Sequence, residues 1–112
     1  MKNFKWEKGR QDSGYSKMLI LTGMFPVGFD IYILKYGVGS EIPEHIDPVS
    51  HKRHYRLNII LKSAQEGGEF HCANSIIDTK YLKFFRPDIN PHSLTKITKG
   101  TRYVLSIGWA IK

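Results

Sequence analysis

Apolar positions along the chain fall in short blocks bounded by turn residues. Residues 18–25 and 29–36 are apolar, β-branched and aromatic, and Pro26-Val-Gly28 separates them. Both read as strands, the first with a helix as the alternative. Tyr36-Gly-Val-Gly39-Ser40 is a glycine turn, and residues 41–45 make a short strand that ends near Pro48. The basic run 51–56 feeds a strong strand over 55–62. Glu66-Gly-Gly68 turns the chain into 69–72, and residues 74–85 hold two more short β-rich pieces. A proline-bounded loop over 86–91, a strand over 93–98, a turn at Lys99-Gly100 and a final strand over 101–110 complete the chain. Residues 1–17 are polar and basic and read as a loose arm or a short helix. Seven or eight short strands between turns predict an antiparallel sandwich or small barrel. The expected class is all-β, with at most one N-terminal helix.

Composition narrows this. At 112 residues one hydrophobic core suffices, so a single domain over 1–112 is expected. Hydrophobic residues at 41% and aromatics at 12% supply that core and exclude a disordered chain. The lone cysteine, Cys72, excludes an intrachain disulfide framework and any zinc site needing two thiolates. Seventeen Lys and Arg against ten Asp and Glu leave +7, which suits nucleic acid or acidic partners without choosing between them. The first ten residues lack a signal-peptide core. The most apolar stretch, 18–34, is broken by Gly23, Pro26, Gly28 and Asp30, too short for the ~20 apolar residues of a spanning helix. A cytoplasmic protein without membrane contact is the expectation.

Three groups carry candidate chemistry. In His45-Ile-Asp47 the two polar residues are two apart, so in an extended segment both point to one side and converge on one ion. Such a pair is common by chance, usually as a surface His beside a turn-forming Asp. His92 follows Asn90-Pro91 at the mouth of a strand and changes the picture. Two imidazoles and one carboxylate on one face of an octahedron leave three open positions, the arrangement of non-haem Fe(II) oxygenases. Ten residues after His92 stands Arg102, opening a strand that should be apolar. Buried there it needs a carboxylate, and its planar fork suits the distal end of a dicarboxylate whose other end chelates the metal; an edge-strand arginine in solvent is the alternative.

From Tyr36 to Trp109 the sequence resembles the 2-oxoglutarate- and Fe(II)-dependent dioxygenases, in particular their prolyl-hydroxylase-like branch. The matching pieces are Tyr36-Gly-Val-Gly39, His45-Ile-Asp47, the strand over 56–61, Gly67-Gly68-Glu69, Asn90-Pro91-His92 and Gly100-Thr101-Arg102-Tyr103. The resemblance implies a double-stranded β-helix of jelly-roll, cupin-like type, with iron on His45, Asp47 and His92. It also implies that Arg102 pairs with the 5-carboxylate of 2-oxoglutarate and that the Tyr36 hydroxyl donates to the same cosubstrate. The sequence departs from the pattern at Ile42, where an aromatic is common, and at Val104, where a serine is common. Ile60 replaces a second tyrosine; Arg56 and Asn58, on the same strand face, are polar candidates for its role.

The other histidines weigh less. His51 and His54 read as a solvated basic run, with substrate contact as the alternative, and His71 and Cys72 as a sheet pair. Glu41 and Glu44 read as exposed. Tyr103, Leu105, Ile107 and Trp109 alternate with Arg102, so they form an outer apolar face, for which residues 18–29 are the expected cover.

The resemblance implies hydroxylation of an unactivated C–H bond with O2, as 2-oxoglutarate is decarboxylated to succinate. A peptide or protein side chain is the favoured substrate, ahead of a small molecule or nucleic acid. Tyr36 to Asp47 also meets the pattern of the alkylated-base demethylases, which place a second arginine where this chain has Gly108. A non-catalytic β-helix binding module is the alternative of another class. So short a chain leaves little for a lid, so an open site is expected, or one completed by a second copy across the outer face.

Overall fold

Strands of three to ten residues between tight turns bury their apolar sides only by stacking into two sheets. The computed structural model describes residues 6–8, 15–23, 28–49 and 52–111. Within them lie β1 (Trp6–Lys8), β2 (Tyr15–Gly23), β3 (Gly28–Tyr36), β4 (Ile42–His45), β5 (Arg53–Lys62), β6 (Phe70–Cys72), β7 (Ile77–Asp78), β8 (Leu82–Phe85), β9 (His92–Leu94) and β10 (Arg102–Ile111). The described residues contain no helix. A large sheet has the order β1-β2-β3-β10-β5-β8-β7, and a small one β4-β9-β6, with every pairing antiparallel. From β3 onward the chain passes back and forth between the two sheets. That is the winding of a double-stranded β-helix.

The alternation predicted for the last strand holds along β10. Arg102, Val104, Ser106 and Gly108 are buried, and Tyr103, Leu105, Ile107 and Trp109 are half-buried on the other side. The inner face of the large sheet meets the small sheet around Tyr36, Ile60, Leu94, Ile97 and Val104, flanked by Ile42 and Phe70. On the outer face the rings of Tyr55, Phe84 and Trp109 stack in a row, each 6.0 Å from the next.

Three expectations change. Residues 18–29 do not cover the outer face: the described part of that stretch belongs to β2 and β3, which extend the same sheet edgewise beside β10. Apolar strands with unpaired edges gain more from a ladder of backbone hydrogen bonds than from lying across a neighbour. The N-terminal helix is not seen; β1 pairs with β2, with Trp6 opposite Met18, and residues 1–5 and 9–14 lie outside the described residues. So do His51 and most of the turn expected at 26–28. The strand expected over 93–98 ends at Leu94, because the next residues leave the small sheet. Thr95 donates its N–H to the Glu69 carbonyl at 2.9 Å, and Thr98 to that of Glu66 at 3.0 Å. Gly67 and Gly68, at φ 77° and 70°, make that approach, and a Cβ on Gly67 would lie 1.9 Å from the Lys96 carbonyl oxygen.

Candidate metal centre and its cavity

The small sheet brings two of the predicted ligands together by register. His45 closes β4 and His92 opens β9, and the two are cross-strand partners. Their rings lie 4.3 Å apart, tilted by 54°. Asp47 follows in extended chain, its backbone N–H held by the Pro87 carbonyl at 2.7 Å.

Backbone carbonyls orient both imidazoles. The His45 Nδ1 lies 2.8 Å from the Pro43 carbonyl oxygen, and the His92 Nδ1 lies 2.9 Å from that of Asn90. A carbonyl oxygen only accepts, so each Nδ1 carries a proton, and in the neutral imidazole each Nε2 is left with its lone pair. Those lone pairs face one carboxylate: His45 Nε2 is 3.6 Å from Asp47 Oδ1, and His92 Nε2 is 3.4 Å from Asp47 Oδ2. Ligand atoms of the three residues all lie within 4.8 Å of one another. Three electron-pair donors aimed at one point repel unless a cation lies among them. Two imidazoles and a carboxylate suit a divalent transition ion, and the carbonyl bonds are the outer support such ligands generally have.

These side chains share a cavity of about 450 Å³ with Tyr36 and Arg102. Arg102 and Tyr36 are cross-strand partners on β10 and β3, so both project inward. Only 6% of Arg102 and 7% of Tyr36 is exposed. Burial holds the Arg102 guanidinium below its ordinary pKa, against an opposing influence from Tyr36. Burial likewise pushes the Tyr36 hydroxyl well above its usual range, with Tyr15 adding and Arg102 opposing. The Tyr15 ring stacks on that of Tyr36 at 5.0 Å. Arg102 NH1 reaches only the Gly68 carbonyl, at 3.4 Å, and its buried Nε–H has no acceptor among the described residues. A guanidinium so placed is a seat for an anion.

Sequence reasoning named Arg56 and Asn58 as polar candidates but missed the group they form with Asp30 and Ser106 in the cavity. Arg56, on β5, donates through NH2 to Asp30 on β3, at 2.8 and 3.2 Å, and through NH1 to the Ser106 hydroxyl at 2.7 Å. Ser106 donates onward to Asn58 Oδ1 at 2.6 Å, which turns the Asn58 amide NH2 away from the serine. His54 Nε2 sits 3.3 Å from Arg56 NH2, and burial, followed by Arg56, lowers its pKa. His54 thus lines the cavity rather than joining a solvated run. The signal was present in the sequence. Asp30, His54, Arg56, Asn58 and Ser106 sit on inward positions of strands, and Gly108 leaves room over β10 for the Arg56 guanidinium. Glu41 and Glu44 are exposed, and His71 pairs across β6 and β9 away from the cluster, as expected.

No family model matches the sequence, and no curated protein matches it. Solved structures do resemble the fold. The Schizosaccharomyces pombe Cnp3 cupin domain aligns with TM-score 0.63 and 14% identity, over 94% of this chain and 67% of that one. An RmlC-like cupin protein from Desulfovibrio desulfuricans aligns with TM-score 0.58 and 17% identity, over 97% and 96%. An RmlC-like cupin from Shewanella frigidimarina gives TM-score 0.51 and 16% identity, over 96% and 86%. At such identities the likeness is one of fold. The chain is a cupin-type double-stranded β-helix carrying a candidate His–Asp–His metal site.

Proposed function

We propose that this chain is an Fe(II)- and 2-oxoglutarate-dependent dioxygenase that hydroxylates an unactivated C–H bond, on a peptide or protein side chain. The observation that carries the reading is a pairing within one cavity. A His45–Asp47–His92 cluster of inward-aimed donors stands with Arg102, a buried guanidinium that meets no carboxylate among the described residues. A metal-chelating dicarboxylate satisfies both.

When bound, Fe(II) supplies activation of O2, and 2-oxoglutarate supplies two electrons as it is decarboxylated to succinate. The chain's own residues do the rest. His45, Asp47 and His92 would hold the metal, each offering one ligand atom. Arg102 grips the distal carboxylate through its planar fork, and the Tyr36 hydroxyl, kept protonated by burial, donates beside it. Asn58, fixed by Ser106, offers its amide N–H groups in place of the tyrosine that Ile60 lacks. Ile42, Leu94, Val104 and Phe70 keep water from the cavity wall. No general base is needed, because the bond attacked carries no acidic proton.

Anaerobic Fe(II) titration followed by succinate measurement tests the reading. Succinate forms in the wild type, and His45→Ala and Asp47→Ala abolish it. No turnover in wild type, or full turnover in those variants, overturns it. Nucleic acid as the substrate is the second reading, favoured by Arg56 lying over Gly108, where the related demethylases carry an arginine. Its mark is oligonucleotide binding that falls steeply between low and moderate salt.

A further inference from the structure

Two arginines face the cavity, and electrostatically they are unlike. Arg102 is a bare charge in the described structure, whereas Arg56 forms an ion pair with Asp30 and is neutral as a unit. By register they stand apart: Tyr36 and Arg102 share one rung of the large sheet, and Asp30, Gly108 and Arg56 share another. Six residues of strand at ~3.3 Å each separate the two rungs by roughly 20 Å along the backbone, and the Arg56 guanidinium reaches back only as far as Ser106, still short of the Arg102 rung. A ligand held by Arg102 therefore leaves the second rung free.

We propose that the Asp30–Arg56 pair is the substrate subsite and that it takes an uncharged amide group of a peptide; calling the ligand a substrate rests on the dioxygenase reading above. An ionised carboxylate offers about four acceptor sites, and Arg56 occupies at most two of those on Asp30. Asp30 keeps 30% of its side chain exposed. Of the five N–H donors of Arg56, Nε–H and one NH1–H have no acceptor among the described residues. An acceptor and a donor fixed side by side match the N–H and C=O of an amide.

Charge excludes the alternatives. A carboxylate or phosphate meets the Asp30 carboxylate here and finds an uncompensated cation at Arg102 instead. A cationic group meets Lys17, Arg56 and Arg102 against only Asp30 and Asp47 around the same cavity, and Asp30 is already paired with Arg56. Geometry holds the pair rigid. A Cβ on Gly108 would lie 2.2 Å from Arg56 NH2 and 2.5 Å from its Cζ, so the guanidinium lies against bare backbone. Ser106, fully buried, anchors its other end. The subsite exists because position 108 has no side chain.

The test is NMR of the arginine Nε–H groups in the full chain, with no iron, 2-oxoglutarate or turnover involved. Signals are assigned with Arg56→Lys and Arg102→Lys. The probes are acetyl-glycyl-glycinamide, acetate and a thymidine dinucleotide. The neutral peptide shifts the Arg56 signal saturably, and Asp30→Ala weakens its binding about ten-fold, as expected for loss of one acceptor. Acetate shifts the Arg102 signal instead. Saturation of the Arg56 signal by acetate or the dinucleotide as strongly as by the peptide overturns the proposal. So does peptide binding unchanged in Asp30→Ala. If Asp30→Ala does not fold, the ranking of the three probes on the wild type decides alone. Succinate formation, measured separately, decides the dioxygenase reading, so either can fail without the other.

Discussion

An arginine inside a β-barrel is expensive unless an anion meets it, and Arg102 meets none among the described residues. Its oddity was legible in the sequence as a charge at the head of an apolar strand, and the fold places it beside Tyr36. Arg102→Ala is expected to raise the 2-oxoglutarate concentration needed for half-maximal turnover about 10- to 100-fold, as for loss of a bidentate charged contact. Isothermal titration of the metal into the same variant should show binding retained. Arg56 was legible only as a polar residue facing inward. Its partner lies twenty-six residues earlier on β3 and meets it across Gly108, a contact no local pattern encodes. His54 carries a pH signature. Its folded pKa is lowered by burial, so the unfolded chain binds more protons below the ordinary value of 6.5. Its contribution is therefore complete above pH 6.5 and is lost as pH falls through the folded value. In metal-free protein, thermal melts between pH 7.5 and 5 should show a smaller loss for His54→Gln than for wild type.

The strands carry the site by register rather than by sequence proximity. His45 and Asp47 were readable together because an extended segment puts them on one side. That His92 faces them depends on the β4–β9 pairing, with His45 opposite His92, which the sequence suggests only through family likeness. The glycine turn at 66–68 was also readable, but not its partner, the 95–99 segment that it draws out of β9. Gly67→Ala puts a Cβ 1.9 Å from a backbone oxygen at φ 77°, and its three nearest neighbours are all backbone atoms. Chemical denaturation should show a loss of about 2 kcal/mol or more. Where the sequence misled, at residues 18–29, composition was right and placement wrong. The strands are apolar, but their polar backbones lead them to the sheet edge instead of onto its face.

At the scale of the molecule, all three candidate metal ligands come from the small sheet and the segment just after β4, and Arg102 and Tyr36 come from the large one. Binding that favours only the folded chain stabilises it by mass action. Free metal at 100 times its dissociation constant should add about 2.7 kcal/mol to unfolding stability. Differential scanning calorimetry should show the gain, a chelator should reverse it, and His92→Ala should lack it. The +7 charge was readable at once but says least, since within the cavity Arg56 is paired with Asp30 while Arg102 stands unpaired among the described residues, a difference that net charge does not show. On the outer face the Tyr55, Phe84 and Trp109 rings are half-buried and stacked on one another within the same sheet.

The division of labour between sheets has a thermodynamic corollary. A ligand that touches the metal with one end and Arg102 with the other is a non-covalent crosslink between two layers otherwise joined by side-chain packing and turns. Either half of that crosslink restrains the spacing that the other half needs. Metal and dicarboxylate must then raise each other's affinity by the same factor, because linkage is reciprocal. On the proposed function, the cavity width would be a shared variable, and the protein would read the joint presence of two small ligands rather than either alone.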